Sequence, residues 1–317
     1  MKYVGLQQQI TSNNRKSIIL LLGFPAILLI ALYIVLFFLT EDNANQAFIG
    51  LTPFVLVFTA IWFLIAYFGH SRMINYATGA VSLERKENMR VYNLTENLCM
   101  SVGMKMPILR IIESTALNAF ASGLNEKNHT VTLTRGIIDA LDDDELEGVI
   151  AHELMHIRNN DVRLLIISIV FVGIFSFILQ IAFRSFLFGG GRSRKKDGKG
   201  GAGAIIVIII ASAVAYLISM VFKFALSRKR EYLADAGAAE MTKNPLGLAN
   251  ALRKISGNSK IETIKNNDVK EMFIENGPGK NASSLFSGIR NIFSTHPPIE
   301  KRITILEPVS YTHLTLP

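Results

Sequence analysis

Four apolar runs, each close to the length that crosses a bilayer, govern what this 317-residue chain can fold into. They cover residues 17–40, 47–69, 164–183 and 204–226. Inside hydrocarbon every backbone N–H and C=O has to be paired within the chain, so such runs commit to helices. The first run is longer than the core of a secretory signal and lacks an A-x-A cleavage site, so it is expected to be retained, with Pro25 placed to kink it in its first half. Half the residues are hydrophobic and the mean hydropathy is +0.34, which excludes an ordinary soluble domain. One cysteine, Cys99, rules out an internal disulfide framework and suits a reducing compartment and a core position.

Between the second and third runs lies Asp142-Asp143-Asp144-Glu145-Leu146-Glu147-Gly148-Val149-Ile150-Ala151-His152-Glu153-Leu154-Met155-His156. Acidic residues suited to a helix N-terminus are followed by apolar ones at core spacing, so the stretch predicts a helix. On that helix His152 and His156, four apart, stack on one face, and Glu153 lies beside them. This is how an HExxH helix presents two zinc ligands and a general base on one rigid element. A catalytic zinc takes three protein ligands, so a third is required. Glu231 and Asp235, again four apart in 227–236, offer one carboxylate for the metal and another to accept the free ring N–H of a ligating histidine.

The stretches 116–123 (ALNAFASG), 152–161 (HELMHIRNND), 227–239 (SRKREYLADAGAA) and 295–303 (THPPIEKRI) carry a resemblance. Together with the four apolar runs they resemble the HtpX-type membrane zinc metalloproteases, relatives of the CAAX prenyl protease type I family, over nearly the whole chain to about residue 308. The resemblance implies an integral membrane α-helical protein with a cytoplasmic α+β zincin domain, gluzincin-like in its HExxH and ExxxD pairing. It implies one Zn2+ per subunit held by His152, His156 and Glu231, with Glu153 as catalytic base and Asp235 behind the ligands. It also implies a zinc metalloendopeptidase of the cell inner membrane that degrades misfolded or damaged proteins in quality control and stress response. Asn118, Ala119 and Phe120 match the edge strand on which such proteases bind substrate backbone by strand addition. In the HPPxxxRI pattern, His296 is expected to donate to the developing oxyanion, with Arg302 steadying it or the zinc carboxylate. A helix-capping His296 with a surface Arg302 is the bland alternative.

The remaining organisation follows in chain order. Residues 1–16 form a basic cytoplasmic N-terminus, and the acidic turn 41–46 lies outside by the positive-inside rule. Residues 70–163 open the protease domain: an amphipathic helix carrying Val91, Leu94, Leu98 and Val102 and stopping near Gly103, an extended stretch from Ile108, then a hairpin in which Val131 and Leu133 alternate with Thr132 and Thr134 as in a half-buried strand. His70 is expected as an interfacial side chain. Residues 227–308 complete the domain, with the Pro297–Pro298 pair opening a last helix at Ile299. The tail 309–317 does not continue the family pattern, resembles a translated sequencing adapter, and is set aside as non-native.

Two conflicts sharpen the reading. The loop 184–203 is glycine-rich and strongly basic, so four full spans would put it outside against the positive-inside rule, whereas a re-entrant hairpin would keep it inside. The length of the third and fourth runs favours four spans. The net charge of +8 clusters beside apolar segments and has no basic-aromatic module, which excludes nucleic acid as a partner and leaves lipid headgroups and protein substrates. The oligomeric state is not written in the sequence. A site-2-type intramembrane protease also uses HExxH, but residues 142–147 are too charged for bilayer depth. A scaffold or transporter with structural zinc would need a fourth protein ligand, and the chain offers no second histidine pair.

Overall fold

The computed structural model describes residues 6–40, 43–189, 206–214, 216–217, 228–256, 274 and 297–313. Its helices are α1 (Leu6–Leu39), α2 (Ala44–Thr78), α3 (Met89–Ser101), α4 (Arg135–Ala140), α5 (Asp143–Arg158), α6 (Asp161–Gly189), α7 (Arg228–Thr242), α8 (Pro245–Ile255) and α9 (Ile299–His313). Four short strands complete the described elements: β1 (Val81–Ser82), β2 (Ile108–Ile112), β3 (Ala119–Ser122) and β4 (Thr130–Thr134). The chain divides into two compact units, one of 15–68 with 167–223 and the other of 1–14, 69–166 and 224–317.

The first unit is built from the apolar runs. Among the described residues, three helices are long and apolar enough to cross a membrane, over Thr11–Phe38, Ala44–Thr78 and Asp161–Ile181. Large apolar side chains such as Leu22, Phe38, Ile49, Phe54 and Phe68 are exposed along them, a surface that suits lipid far better than water. Polar groups within these helices are satisfied locally: Thr52 and Thr59 donate their hydroxyls to the carbonyls of Phe48 and Val55, each at 2.7 Å. Ring contacts join Phe24 to Phe175 and Trp62 to Phe177 at centroid separations of 6.1 and 5.6 Å.

The helices outrun the apolar runs that predict them. α1 begins at Leu6 rather than at residue 17, and α2 continues past residue 69 to Thr78. Hydrophobic length sets only the stretch that lipid must cover; propagation of a helix adds a hydrogen bond per residue and carries it into polar flanks rich in helix formers. The N-terminal segment 1–16 is thus largely helical where described. His70 is buried in the continuation of α2, its Nε2 3.0 Å from the Ser71 hydroxyl. Of the fourth run, residues 206–214 and 216–217 are helical; the rest of it, and residues 190–203 of the basic loop, lie outside the described residues.

The second unit sets α5 against a small mixed sheet and a layer of helices. The strand order is β1-β2-β4-β3, with β2 and β4 parallel and β3 antiparallel to β4, pairing Ala119 with Leu133 and Ser122 with Thr130. The β3–β4 hairpin is closed by asparagines: Asn128 Oδ1 accepts the backbone N–H of Leu124 and Asn125, and Asn125 Oδ1 that of Lys127. Every residue of β4 is buried, including Thr130, Thr132 and Thr134, so the strand is covered on both faces rather than half-buried as its alternation suggests. The threonine hydroxyls are used inside: Thr134 donates to Ala116 O at 2.6 Å, and Thr130 pairs with Ser122.

α5 is held where it is by its ends and its packing. Asp142 caps it, accepting the Glu145 N–H at 3.0 Å while Glu145 accepts the Asp142 N–H at 3.0 Å, a reciprocal box that satisfies two of the orphan donors. Glu145 also takes Lys254 of α8 at 2.5 Å, and Arg90 of α3 reaches Asp143 and the carbonyls of Ile138 and Leu141. Leu146, Val149, Ile150 and Leu154 are fully buried, each worth about 1.5–3 kcal/mol of hydrophobic stabilisation. Gly148 lets α8 approach closely, since a Cβ there would lie 2.7 Å from the backbone nitrogen of Leu248. α3 stops at Ser101, and Gly103 has a φ of +65, the left-handed conformation glycine adopts without strain. Its buried side is Val91, Thr95, Leu98 and Cys99, and burial raises the Cys99 thiol pKa to about 11.

Candidate active site

Two helices that are far apart in sequence bring the predicted ligands together. α5 carries His152 and His156, α7 carries Glu231 and Asp235, and α5 packs against α7 and α8. A donor atom from each of His152, His156 and Glu231 lies within 4.8 Å of the others. The two Nε2 atoms are 3.1 Å apart, with Glu231 Oε1 3.5 Å from His156 Nε2 and Glu231 Oε2 3.7 Å from His152 Nε2.

The tautomers follow from what stands behind each ring. His152 Nδ1 is 3.0 Å from Asp235 Oδ1, and His156 Nδ1 is 3.1 Å from Asp161 Oδ2. A carboxylate only accepts, so each Nδ1 carries the proton and each Nε2 turns its lone pair towards Glu231. Three electron-pair donors facing one point repel unless a cation stands among them, and two imidazoles with a carboxylate are a donor set that zinc favours. The residues present therefore fit a divalent metal ion.

The charges around the centre are arranged on the same logic. Arg302 of α9 is fully buried and grips Asp235 with two hydrogen bonds, Nε to Oδ2 at 2.9 Å and Nη2 to Oδ1 at 2.7 Å, while its Nη1 lies 3.6 Å from Glu231 Oε2. Burial alone would raise the Asp235 pKa, but Arg302 and His152 outweigh it and hold the carboxyl ionised, below its usual range. Burial likewise opposes charge on His152, yet the Asp235 and Glu231 carboxylates lift its pKa to about 9, so that with no metal among the donors a proton on Nε2 takes the cation's place. The Glu153 carboxyl is shifted up, chiefly by burial, although the neighbouring histidines and a hydrogen bond from the Ala121 backbone favour its ionised form.

That last bond joins the would-be base to the sheet edge. β3 is the terminal strand, as its sequence suggests, and Phe120 faces β4 while Ala119 and Ala121 turn their backbone groups outward. The outward groups of Ala119 are engaged by the chain itself: its N–H donates to Asn118 Oδ1 at 2.9 Å, and its carbonyl accepts the Ile274 N–H at 2.9 Å. Ile274 is buried and its own carbonyl accepts from Arg302 Nη1 at 3.3 Å. The expected edge trio, Asn118, Ala119 and Phe120, is buried throughout.

His152, Glu153, His156, Glu231, Asp235 and Arg302 thus meet in one place, with Arg302 fully buried rather than on the surface. His296 lies outside the described residues. Two participants carry no role in the sequence reading: Asp161, five residues beyond His156 inside the matched 152–161 stretch, and Asn13, which no motif marks.

A helix with two histidines and a buried glutamate, closed by a carboxylate from a second helix and joined to long apolar helices, defines a membrane metallopeptidase. The comparisons agree, since residues 85–309 match Peptidase family M48. The chain belongs to that family. It is 54% identical over 321 residues to the protease HtpX homolog of Bacteroides fragilis, covering 97% of this chain and 99% of that protein. With the protease HtpX homolog of Lactobacillus acidophilus it shares 35% identity over 308 residues, 95% of this chain and 99% of that one. Among solved structures it resembles S. mikatae Ste24p, with a TM-score of 0.51 at 19% identity over 94% of this chain and 67% of the other, a likeness of fold. The chain is a metalloprotease with membrane-spanning helices.

Proposed function

We propose that this chain is a zinc endopeptidase that hydrolyses unfolded or damaged proteins at the cytoplasmic face of the cell membrane. The observation that carries it is the convergence of two proton-bearing, carboxylate-backed histidines and Glu231 beside buried Glu153. His152, His156 and Glu231 would hold the zinc ion. When bound, it supplies a Lewis acid that polarises the scissile carbonyl and makes water more acidic. Glu153, its carboxyl pushed up by burial beside the histidines, takes the proton from the attacking water and later delivers it to the leaving amine. Asp235 keeps the His152 ring oriented, and Arg302 keeps Asp235 ionised and fixed. The edge of β3, whose Ala121 bonds the Glu153 carboxylate, is the strand along which substrate backbone aligns.

A site between transmembrane helices is disfavoured, because α5 is a separate 16-residue helix packed on the sheet, and its first turn carries Asp143, Asp144 and Glu145. The quality-control role follows the relatives' kind and predicts substrate choice by foldedness. Detergent-solubilised, zinc-loaded protein should cleave a reduced, unfolded polypeptide about tenfold or more faster than its native form, as expected where cleavage needs an extended backbone. Equal rates on both forms would contradict that choice. Single cysteines at positions 44 and 265 should label from outside and from inside the cell, respectively; the reverse pattern would overturn the cytoplasmic orientation.

A further inference from the structure

His156 has a support system of its own, which reaches back to the start of the chain. Asp161 is the first residue of α6 and only 4% exposed. Its Oδ2 accepts the His156 Nδ1–H at 3.1 Å, and its Oδ1 accepts a hydrogen bond from Asn13 Nδ2 at 2.8 Å. Asn13, on α1, is itself 5% exposed, and the same amide nitrogen donates its second hydrogen to Asn159 O at 2.8 Å. Asn159 is the C-cap of α5, Asn160 follows at a φ of 58, and the Asp161 carboxylate meets His156 of the helix the chain has just left. From α7, Arg230 donates Nη1 to the Asp161 carbonyl at 3.2 Å, and its Nε lies 4.0 Å from Oδ1.

We propose that Asp161 is the positioning residue for His156 and that Asn13, from the first apolar helix, fixes Asp161 in that role. The inference rests on the zinc reading above and extends it to residues for which the motifs specify no function. An aspartate opening a helix is ordinarily explained by the helix dipole alone. Here both carboxylate oxygens are committed, one to the ring and one to an amide from 148 residues earlier. A hydrogen bond to a ligating histidine fixes its tautomer and raises its basicity, so its loss shows in metal affinity. The amide is neutral and bonds both the end of α5 at Asn159 and the start of α6 at Asp161, which makes it a clamp on geometry rather than on charge.

The test uses the full-length, detergent-solubilised protein in four forms: wild type, Asp161→Ala, Asp161→Asn and Asn13→Ala. For each, zinc affinity is measured by chelator competition, the ligand field by the visible spectrum of the cobalt-substituted protein, and stability by melting. Asp161→Ala should weaken zinc binding by about 10–100-fold and shift the cobalt spectrum. Asp161→Asn, whose side-chain carbonyl still accepts from the ring N–H but whose amide then faces the Asn13 amide donor to donor, should recover part of the loss. Asn13→Ala should weaken zinc by about fivefold, the scale of one lost hydrogen bond. If Asp161→Ala does not fold, the other two variants decide. Zinc affinity within about twofold of wild type, with an unaltered cobalt spectrum, in every variant that folds would overturn the proposal even if melting fell. Wild type that takes up neither zinc nor cobalt would instead sink the metal reading itself.

Discussion

The two histidines of one helix are supported in opposite ways. Behind His152 everything is buried and charged: the ring is fully buried, Asp235 is 2% exposed, and Arg302 is inaccessible and bonded twice to Asp235. Behind His156, whose side chain is 14% exposed, the carboxylate of Asp161 takes its hydrogen bond from the neutral amide of Asn13, with the Arg230 guanidinium standing off at 4.0 Å. Both rings receive the same instruction, a proton on Nδ1. On the His152 side, though, that instruction is bound up with a desolvated ion pair on which the packing of α5, α7 and α9 depends. Removing one member of such a pair strands a buried charge, while removing a neutral donor costs only its hydrogen bond.

The comparison breaks most visibly at Arg302. Arg302→Leu should destabilise the protein by about 3–5 kcal/mol, read as a lowered melting temperature or denaturant midpoint, because Asp235 is left ionised without its partner. A loss under about 1 kcal/mol would mean that the pair is not stabilising the fold.

The same contrast separates the two carboxylates. Asp235→Asn and Asp161→Asn each keep an acceptor for the ring, but only the former leaves Arg302 buried without its anionic partner. Melting of Asp235→Asn should therefore fall further than that of Asp161→Asn, and equal melting would erase the distinction drawn between the two sides.

A lesion in the scaffold common to both sides should spare neither. Gly148→Ala forces a methyl into the Leu248 backbone and should cost about 1–3 kcal/mol, with zinc affinity falling in step with the displacement of α5. At the small end, Arg253 and Glu307 form an exposed pair, both 43% accessible. Arg253→Ala should change stability by about 1 kcal/mol or less and leave zinc binding untouched.

How much of this was legible in advance depended on whether the signal is local. HExxH and ExxxD are repeats of four, and a helix converts that spacing into a common face without outside help, so the cluster of His152, His156 and Glu231 could be read from the chain. The hairpin was legible because Asn125 and Asn128 carry its turn chemistry, and the start of α5 because acidic residues 142–145 suit a helix N-terminus. Asn13 was not: it works through a partner 148 residues away, and nothing in its neighbours marks a tertiary hydrogen bond. The expected half-exposure of β4 failed for the same reason. Alternation and charge predict exposure, and only the packed layers decide what covers a strand or pays for burying a guanidinium. Helix ends also escaped, since lipid length bounds the apolar stretch and not the helix.

The central claim is that the site is a zinc centre in which Glu153 moves the proton. Its most direct test measures zinc content and cleavage of an unfolded protein on the same preparations of wild type and Glu153→Gln. Glu153 is not a ligand in this geometry, so both should hold about one zinc per chain, while the variant loses about 10²–10⁴-fold or more in rate. A variant that cleaves like wild type, or a wild type that cleaves without binding metal, would contradict the account.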